Sequence, residues 1–100
     1  MRLGTTPRHT FIFPFETALI KELKITYAQN KKTVLEKYLG DCEVDVKSVS
    51  YTLTQEETFL FAENVNVEVQ ARVLTTSGDA LASDIRIVTA ERCLDREVLE

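Results

Sequence analysis

Apolar and polar residues alternate along most of the chain, which is the period of strands that bury one face. The longest regular run covers 65–74, where valine or alanine fills every odd position. A second run covers 21–29, and a third covers 33–39 after the polar link 30–32. We expect the first run to be the longest strand and the other two to form a hairpin.

Shorter alternating segments predict the remaining strands. Residues 10–15 form the first, and Pro14 places it at a sheet edge or strand end because proline cannot donate to a central ladder. Farther along, the apolar positions change parity at 47–48, which requires a tight turn or a bulge. After a turn at 76–79, the last strand, 81–90, is expected to pair with the long strand as a hairpin.

The apolar residues that share a face in these strands define a predicted core. In the last strand, we assign the core face to the side that carries the two isoleucines. The predicted core residues are Phe11, Phe13, Leu23, Ile25, Tyr27, Val67, Val69, Val73, Ile85 and Ile87.

One segment carries a clear helix signal. Thr54 is followed three residues later by Glu57, and this spacing is that of a capping box, in which each side chain bonds the other residue's backbone N–H. It predicts one short helical turn near 54–61. We expect this turn to place Phe59 or Leu60 under the sheet edges.

Together these elements predict a mainly all-β fold, a two-sheet antiparallel sandwich of about seven strands. The helical turn lies between the fifth and sixth strands, where immunoglobulin-like folds commonly pass from one sheet to the other, so we expect an immunoglobulin-like arrangement. The chain has the size of one domain, read as 1–100 with flexible ends at 1–8 and 95–100. Residues 92–100 fit either a short helical turn or an extended tail, and the strand order stays open.

Composition narrows the function classes. The 100-residue chain has a formal net charge of -4 and a pI near 5.0, which argues against nucleic-acid binding because such proteins normally present a basic stripe to phosphates. No apolar run approaches the ~20 residues that span a bilayer, so we expect no membrane insertion. The N-terminus lacks the apolar core of a secretory signal, and we expect the chain to stay in the cytoplasm.

Few side chains are candidates for chemistry. His9 is the only histidine, but a general base needs a substrate or nucleophile within reach, so we interpret it as an exposed or capping residue. Glu56 and Glu57 are adjacent and point in different directions from a helical turn. Cys42 and Cys93 match no zinc or redox spacing and are expected to be unpaired thiols in a reducing cytoplasm, while any pairing elsewhere stays open.

Two further patterns have residue types that occur in binding or catalytic sites. Asp41, Glu43 and Asp45 alternate along one strand face and could supply oxygen ligands to calcium, but they lack the glycine-punctuated loop of a calcium site and fit a solvated edge. Ser83 and Asp84 lack the glycine frame of a hydrolase nucleophile. We therefore predict no catalytic, cofactor-binding or metal-binding residues and no enzyme activity.

Four segments carry a family resemblance: TTPRHTF (5–11), IKELKITYAQ (20–29), LTQEET (53–58) and VLTTSGDALASD (73–84). In these segments the chain resembles small, largely uncharacterised β-sandwich proteins encoded in prophages of Gram-positive bacteria, among structural and assembly genes. None of the segments is a motif with known chemistry. The resemblance therefore implies an origin and carries no catalytic residues across.

The resemblance implies a non-enzymatic structural or assembly module of a phage or prophage particle, such as a tail, baseplate or head accessory, that acts through protein–protein contacts. The implied partners are the chain itself or another virion structural protein. The implied location is the cytoplasm of the bacterial host, with incorporation in a virion. The alternative hypothesis is a cytoplasmic β-sandwich binding domain for a peptide or small ligand, which a cleft in the structure would favour.

Overall fold

The computed structural model describes all 100 residues and consists mainly of strands, with 48% of residues in strands and 10% in helical turns. The helical segments are α1 (Gln55–Thr58) and two 3-10 turns, Thr17–Leu19 and Leu39–Asp41. None of them has the length or apolar character needed to cross a lipid bilayer. The eight strands are β1 (Arg8–Ile12), β2 (Ile20–Gln29), β3 (Lys32–Tyr38), β4 (Glu43–Val44), β5 (Ser48–Thr52), β6 (Asn66–Thr75), β7 (Ala80–Ala82) and β8 (Arg86–Thr89).

The strands form two antiparallel sheets that pack against each other. The smaller sheet has the order β1-β5-β4, and the larger has the order β3-β2-β6, with β7 and β8 both paired to the far side of β6. The predicted two-sheet antiparallel sandwich is confirmed. There are eight strands rather than seven because the last predicted strand, 81–90, is divided into β7 and β8.

The centre of the larger sheet is the pair β2 and β6, each ten residues long. Their register places Tyr27 opposite Val69 and Ile25 opposite Ala71. Residues directly opposite each other in an antiparallel pair lie on the same face, and these four are buried. The prediction of a long strand with one buried face over 65–74 is confirmed.

A two-residue turn joins β2 to β3. Asn30 and Lys31 have φ values of 51° and 64°, the left-handed conformation that gives tight hairpin turns the twist of their flanking strands. Asparagine adopts this conformation more readily than most residues do. The predicted hairpin over 21–39 is confirmed.

The chain crosses from the smaller to the larger sheet through α1, as the helical turn near 54–61 predicts. Thr54 Oγ1 accepts a hydrogen bond from the Glu57 amide at 3.1 Å, and Glu57 Oε1 accepts one from the Thr54 amide at 2.9 Å, so the capping box is present. The residue buried after the helix is Phe61, while Phe59 packs at the core margin and Leu60 is exposed. The chain keeps turning beyond α1, and this rotates Phe61 inward.

Most of the predicted core is confirmed. Phe13 is half-buried and packs against the core from its margin. The predicted residues that are buried are Phe11, Leu23, Ile25, Tyr27, Val67, Val69 and Val73. The buried apolar residues that the pattern did not single out are Leu3, Ile20, Val49, Tyr51, Leu53, Phe61, Ala71 and Ala90.

The assignment of Ile85 and Ile87 to the core is wrong. Their side chains are 53% and 64% exposed. The register of β8 on β6 places Val88 opposite buried Val67 and Ile87 opposite Glu68, so Ile87 lies on the outer face of the sheet. The chain leaves the hydrogen-bonded ladder between β7 and β8. The pairing of β8 with β6 therefore decides which residues of β8 face inward, and the alternation does not continue from β7.

The N-terminal residues are held against the end of the sandwich. Arg2 and Glu91 form a parallel bridge, and the Leu3 amide donates to the Glu91 carbonyl at 3.0 Å. Leu3 is fully buried. An apolar side chain near the N-terminus thus closes one end of the core, while the flexibility expected at 1–8 stays a prediction.

The last residues are extended and lie beside α1. Residues 95–100 have no regular secondary structure. Leu99 nevertheless exchanges two backbone hydrogen bonds with the Gln55 side chain, at 2.9 and 3.0 Å. Of the two forms left open for 92–100, the structure has the extended one.

Candidate functional site

A polar cluster of five side chains lies between the two sheets, and we call it the inter-sheet polar cluster. Each member comes from a different element. Each lies at a position where its element faces the opposite sheet. His9 on β1 lies directly opposite Tyr51 on β5 in the smaller sheet. The other members are Tyr27 on β2, Lys37 on β3 and Glu57 on α1.

His9 and Tyr27 join the two sheets by a hydrogen bond. The distance from His9 Nδ1 to the Tyr27 hydroxyl is 2.8 Å, and the ring centroids are 5.5 Å apart. Burial is the main cause that lowers the pKa of His9, helped by the positive N-terminus and Arg86. Burial also raises the pKa of Tyr27. The interpretation of His9 as an exposed or capping residue is wrong, because its ring is half-buried against a core tyrosine.

The Glu57 carboxylate contacts Tyr51 and Lys37 of the cluster and the backbone of Thr54. Its carboxylate accepts hydrogen bonds from the Tyr51 hydroxyl at 2.5 Å and from the Thr54 amide at 2.9 Å, and pairs with Lys37 Nζ at 2.8 Å. The Lys37 ammonium also lies 5.2 Å from the centroid of the Tyr51 ring. One carboxylate therefore links the larger sheet, the smaller sheet and the helix that connects them.

The titration behaviour of Glu57 reflects these contacts. Burial alone would raise its pKa, but hydrogen bonds from Lys37, Tyr51 and Thr54 outweigh burial and lower it. The bond with Glu57 in turn raises the pKa of Lys37. Burial is the main cause of the raised pKa of Tyr51, followed by its bond to Glu57.

Chemically, the inter-sheet polar cluster is an arrangement of satisfied groups. No buried side-chain nitrogen or oxygen atom of the protein lacks a hydrogen-bond partner. None of the five residues of the cluster lines the surface groove beside the start of β2 that is described below. The cluster therefore acts as a tie between sheets, and its bonds orient β1, β3 and β5 around a buried tyrosine.

The three acidic residues that could supply oxygen ligands to calcium each have a different partner. Asp41 accepts from the Tyr38 amide at 2.9 Å, and Asp45 accepts from the amide of the next residue at 2.8 Å. Glu43 pairs with Arg8 at 2.8 Å, and this hydrogen bond lowers the pKa of Glu43. No three His, Cys, Asp or Glu side chains come together in a geometry that could hold a metal ion.

Ser83 and the two cysteines have local partners. The Ser83 hydroxyl accepts from the Ala71 amide at 3.0 Å, which fixes the chain where it leaves β7. Cys42 and Cys93 are free thiols in different parts of the fold; they donate to the carbonyls of Tyr38 and Asp95 at 3.3 and 3.0 Å. Burial raises the pKa of Cys42.

Exposed apolar side chains gather at one end of the sandwich. There the loop after β1 lies against the β4–β5 turn, since the Phe13 amide donates to the Lys47 carbonyl and the Thr17 amide donates to the Val46 carbonyl, both at 2.8 Å. Ile12 is 79% exposed and Val46 is 65% exposed. We define the apolar end as Ile12, Phe13, Phe15, Leu19, Val44 and Val46.

A second exposed apolar region lies along β7 and β8, at the edge of the larger sheet. It carries Leu81, Ile85 and Ile87. Charged Asp84 follows β7 directly before Ile85, and the two strands have only three and four residues. Short, interrupted and charged edges resist pairing with other strands.

A groove of about 570 Å³ lies on the outer face of the larger sheet, near the start of β2. Lys21, Lys24 and Arg72 line it, and Glu22 is the one carboxylate in its lining. Lys24 is paired with Glu36 at 3.0 Å, whereas the other two cations form no ion pair. Its apolar walls include Tyr38, Leu39 and Leu74. We call this the basic groove.

The chain matches no protein-family model, no curated protein and no solved structure. Sequence reasoning missed both the apolar end and the basic groove, because each gathers residues from distant parts of the chain. A local signal existed for the first: Ile12 lies on the opposite parity from Phe11 and Phe13. No comparable signal marked the groove, because Lys21 and Lys24 lie on β2 whereas Arg72 comes from β6, much later in the sequence.

Proposed function

We propose that this protein is a non-enzymatic structural or assembly module of a phage or prophage particle that acts through protein–protein contacts. The observation that carries the proposal is the apolar end, where Ile12 at the end of β1 and Val46 in the β4–β5 turn are largely exposed. Exposed apolar patches mark interaction sites in proteins that otherwise cover themselves with polar groups, and several exposed apolar side chains at one end of the fold favour such a site.

The composition of the apolar end suits an interface. Its aromatic members, Phe13 and Phe15, contact each other with tilted rings whose centroids are 5.4 Å apart, and both are half-buried against the core. Interface centres are enriched in aromatic residues and depleted in charge. The β7–β8 edge, by contrast, is divided and charged.

Repeated copies in an assembly explain how a small contact surface would be enough to hold the chain in a particle. Six side chains at one end of the sandwich are fewer than the roughly 20–30 residues that each partner supplies to a standard interface, so a single contact is expected to be weak. Neighbouring sites in a lattice raise the effective concentration and turn weak contacts into stable incorporation. The partner is therefore another virion structural protein or the chain itself, and the four segments that resemble prophage-encoded proteins agree with this setting.

The test is to find the chain in particles. A host that carries the gene is induced, particles and assembly intermediates are purified, and the chain is quantified by mass spectrometry, with pull-downs from the same lysate to identify its neighbour. We expect it to copurify with structural proteins. Its absence from particles and intermediates, together with a specific ligand or turnover, would overturn the proposal.

The alternative of a binding domain for a peptide or small ligand is favoured by one observation, the basic groove. Its volume of about 570 Å³ falls among those of ligand pockets, which hold roughly 300–1,000 Å³. It is an open groove with cations beside apolar walls, so an anionic ligand with apolar parts would fit it best. Isothermal titration with such compounds separates this function from the first, since a structural module has no need of them.

A further inference from the structure

The basic groove has a complementary counterpart in the same chain. Residues 95–100, which we call the acidic segment, carry Asp95, Glu97 and Glu100. The only cation of the acidic segment, Arg96, is held against Phe59, with its guanidinium 4.8 Å from the ring centroid and an amino group donating to the Phe59 carbonyl at 3.3 Å. The carboxylates of the acidic segment are exposed, so it presents a negative surface.

Apolar side chains match as well as charges. In the acidic segment, Leu99 is exposed although its backbone is fixed to the Gln55 side chain by two hydrogen bonds. In the basic groove, Leu39 and Leu74 form apolar walls beside Arg72. Each surface thus combines an excess of one charge with leucine: three cations and one carboxylate in the basic groove, three acidic side chains and one arginine in the acidic segment.

The two surfaces lie beside different ends of β2, in an elongated molecule whose principal extents are 46 × 30 × 17 Å. The basic groove is beside the start of β2, the end that also carries the apolar end. The other end of β2 is Gln29, which bonds Ala62 just beyond α1, and the acidic segment lies beside α1. A copy therefore cannot place its own acidic segment in its own groove.

We propose that the basic groove of one copy binds the acidic segment of a second copy, so that molecules associate head to tail. This rests on the proposed docking function and names the chain itself as a partner. Glu97 and Glu100 meet Lys21 and Arg72, the cations without an intramolecular ion pair, while Leu99 meets the apolar wall. Because the two surfaces differ, the contact is heterologous and repeats into a ring or a filament.

Sedimentation velocity of the full chain, from micromolar to millimolar concentration, tests this contact. We expect association that weakens as salt is added, since exposed charges are screened. Arg72→Glu and Glu97→Lys should each weaken association at least about tenfold by placing like charges together. Mixing the two variants should restore it, because each supplies the intact surface that the other lacks.

Matched controls carry the same charge change elsewhere. Lys32→Glu and Asp84→Lys alter exposed residues that form no ion pair and lie outside both surfaces, so they should associate like the unmodified chain. Circular dichroism of all four variants establishes that they fold. Equal weakening by the controls would overturn the proposal, since net charge alone would then explain the effect.

The proposal also fails if the chain stays monomeric at millimolar concentration or if Arg72→Glu and Glu97→Lys associate normally. A monomeric chain that is nevertheless present in particles would overturn the head-to-tail contact and leave the docking function intact. A chain that associates as described but is missing from particles would overturn the phage function and leave the contact intact.

Discussion

The centre of the sandwich and the β7–β8 edge have similar alternating sequences and use them differently. In β2 and β6, the apolar residues at alternating positions of the strand are buried against the smaller sheet. At the edge, Ile85 and Ile87 alternate just as regularly and face outward. Alternation thus identifies which side chains share a face, while neighbours in space decide whether that face is buried.

The neighbours differ in number and kind. β6 has partners on both sides, β2 on one and β7 with β8 on the other, whereas β8 is paired only to β6. Arg86 occupies the inward-facing position of β8 two residues before Val88. Its guanidinium lies 4.7 Å from the Phe11 ring centroid and donates to the Thr10 carbonyl at 2.8 Å. An arginine stem covers the core margin there, a role that charged side chains with long apolar stems can fill.

The largest expected effect comes from a charge placed in the centre. Val69→Asp buries an unpaired carboxylate in β6, which costs more than about 4 kcal/mol and should unfold the domain. Its counterpart at the edge, Ile87→Asp, should lower the free energy of unfolding by no more than about 1 kcal/mol, because residue 87 is exposed and the new carboxylate only faces Glu68 across the ladder. Urea denaturation followed by circular dichroism measures both.

Equal loss of stability in these two variants would erase the distinction between the regions. Normal stability of Val69→Asp would show that the buried face of β6 is misassigned.

The next effect tests the polar part of the centre. Glu57→Ala removes the hydrogen bonds to Tyr51 and Thr54 and leaves Lys37 without its ion pair, so it should lower the free energy of unfolding by about 2–3 kcal/mol. Glu56→Ala is the matched control, since its exposed side chain has none of these contacts. Chemical denaturation that finds the two variants alike would mean that the inter-sheet polar cluster does not tie the sheets.

A smaller effect isolates the capping bond. Thr54→Ala removes one acceptor for the Glu57 amide and should cost about 0.5–2 kcal/mol, whereas Thr54→Ser keeps the hydroxyl and should stay close to the unmodified chain. Thermal unfolding by calorimetry compares the two. An unchanged melting temperature in Thr54→Ala would show that α1 does not depend on its cap.

The smallest effect is the pH dependence from His9. Burial lowers its pKa in the folded state, so the unfolded chain binds a proton more readily than the folded chain does. Stability should therefore fall as pH drops below the ordinary histidine value of about 6.5. Denaturation between neutral pH and about pH 5 should show this fall in the unmodified chain and a flatter profile in His9→Gln. Identical profiles would mean that His9 does not titrate differently on folding.

Local sequence was sufficient where structure depends on near neighbours. The turn at Asn30 and Lys31 and the capping box of Thr54 and Glu57 join residues at most three apart, and both were predicted. His9 was misread because its partner, Tyr27, is 18 residues away on the other sheet. The same reason hid the second role of Glu57, since nothing near it in sequence indicates its long-range partners.

Surface features were the least accessible to prediction. The apolar end requires that the loop after β1 meets the β4–β5 turn, and the basic groove requires β2 beside β6 with the 3-10 turn at Leu39. Strand order, which alternation leaves open, determines both. Functional interpretation therefore depends on the sheet topology more than on any single residue.

The central claim is that the apolar end, rather than the β7–β8 edge, attaches the chain to a particle. The measurement is the number of copies per purified particle, by quantitative mass spectrometry, when the gene is replaced by either of two double variants. One is Ile12→Lys with Val46→Lys, and the other is Ile85→Lys with Ile87→Lys; circular dichroism establishes that both fold. We predict at least about a tenfold loss of the first, from charges buried at a contact, and normal incorporation of the second. Normal incorporation of the first variant would contradict the account.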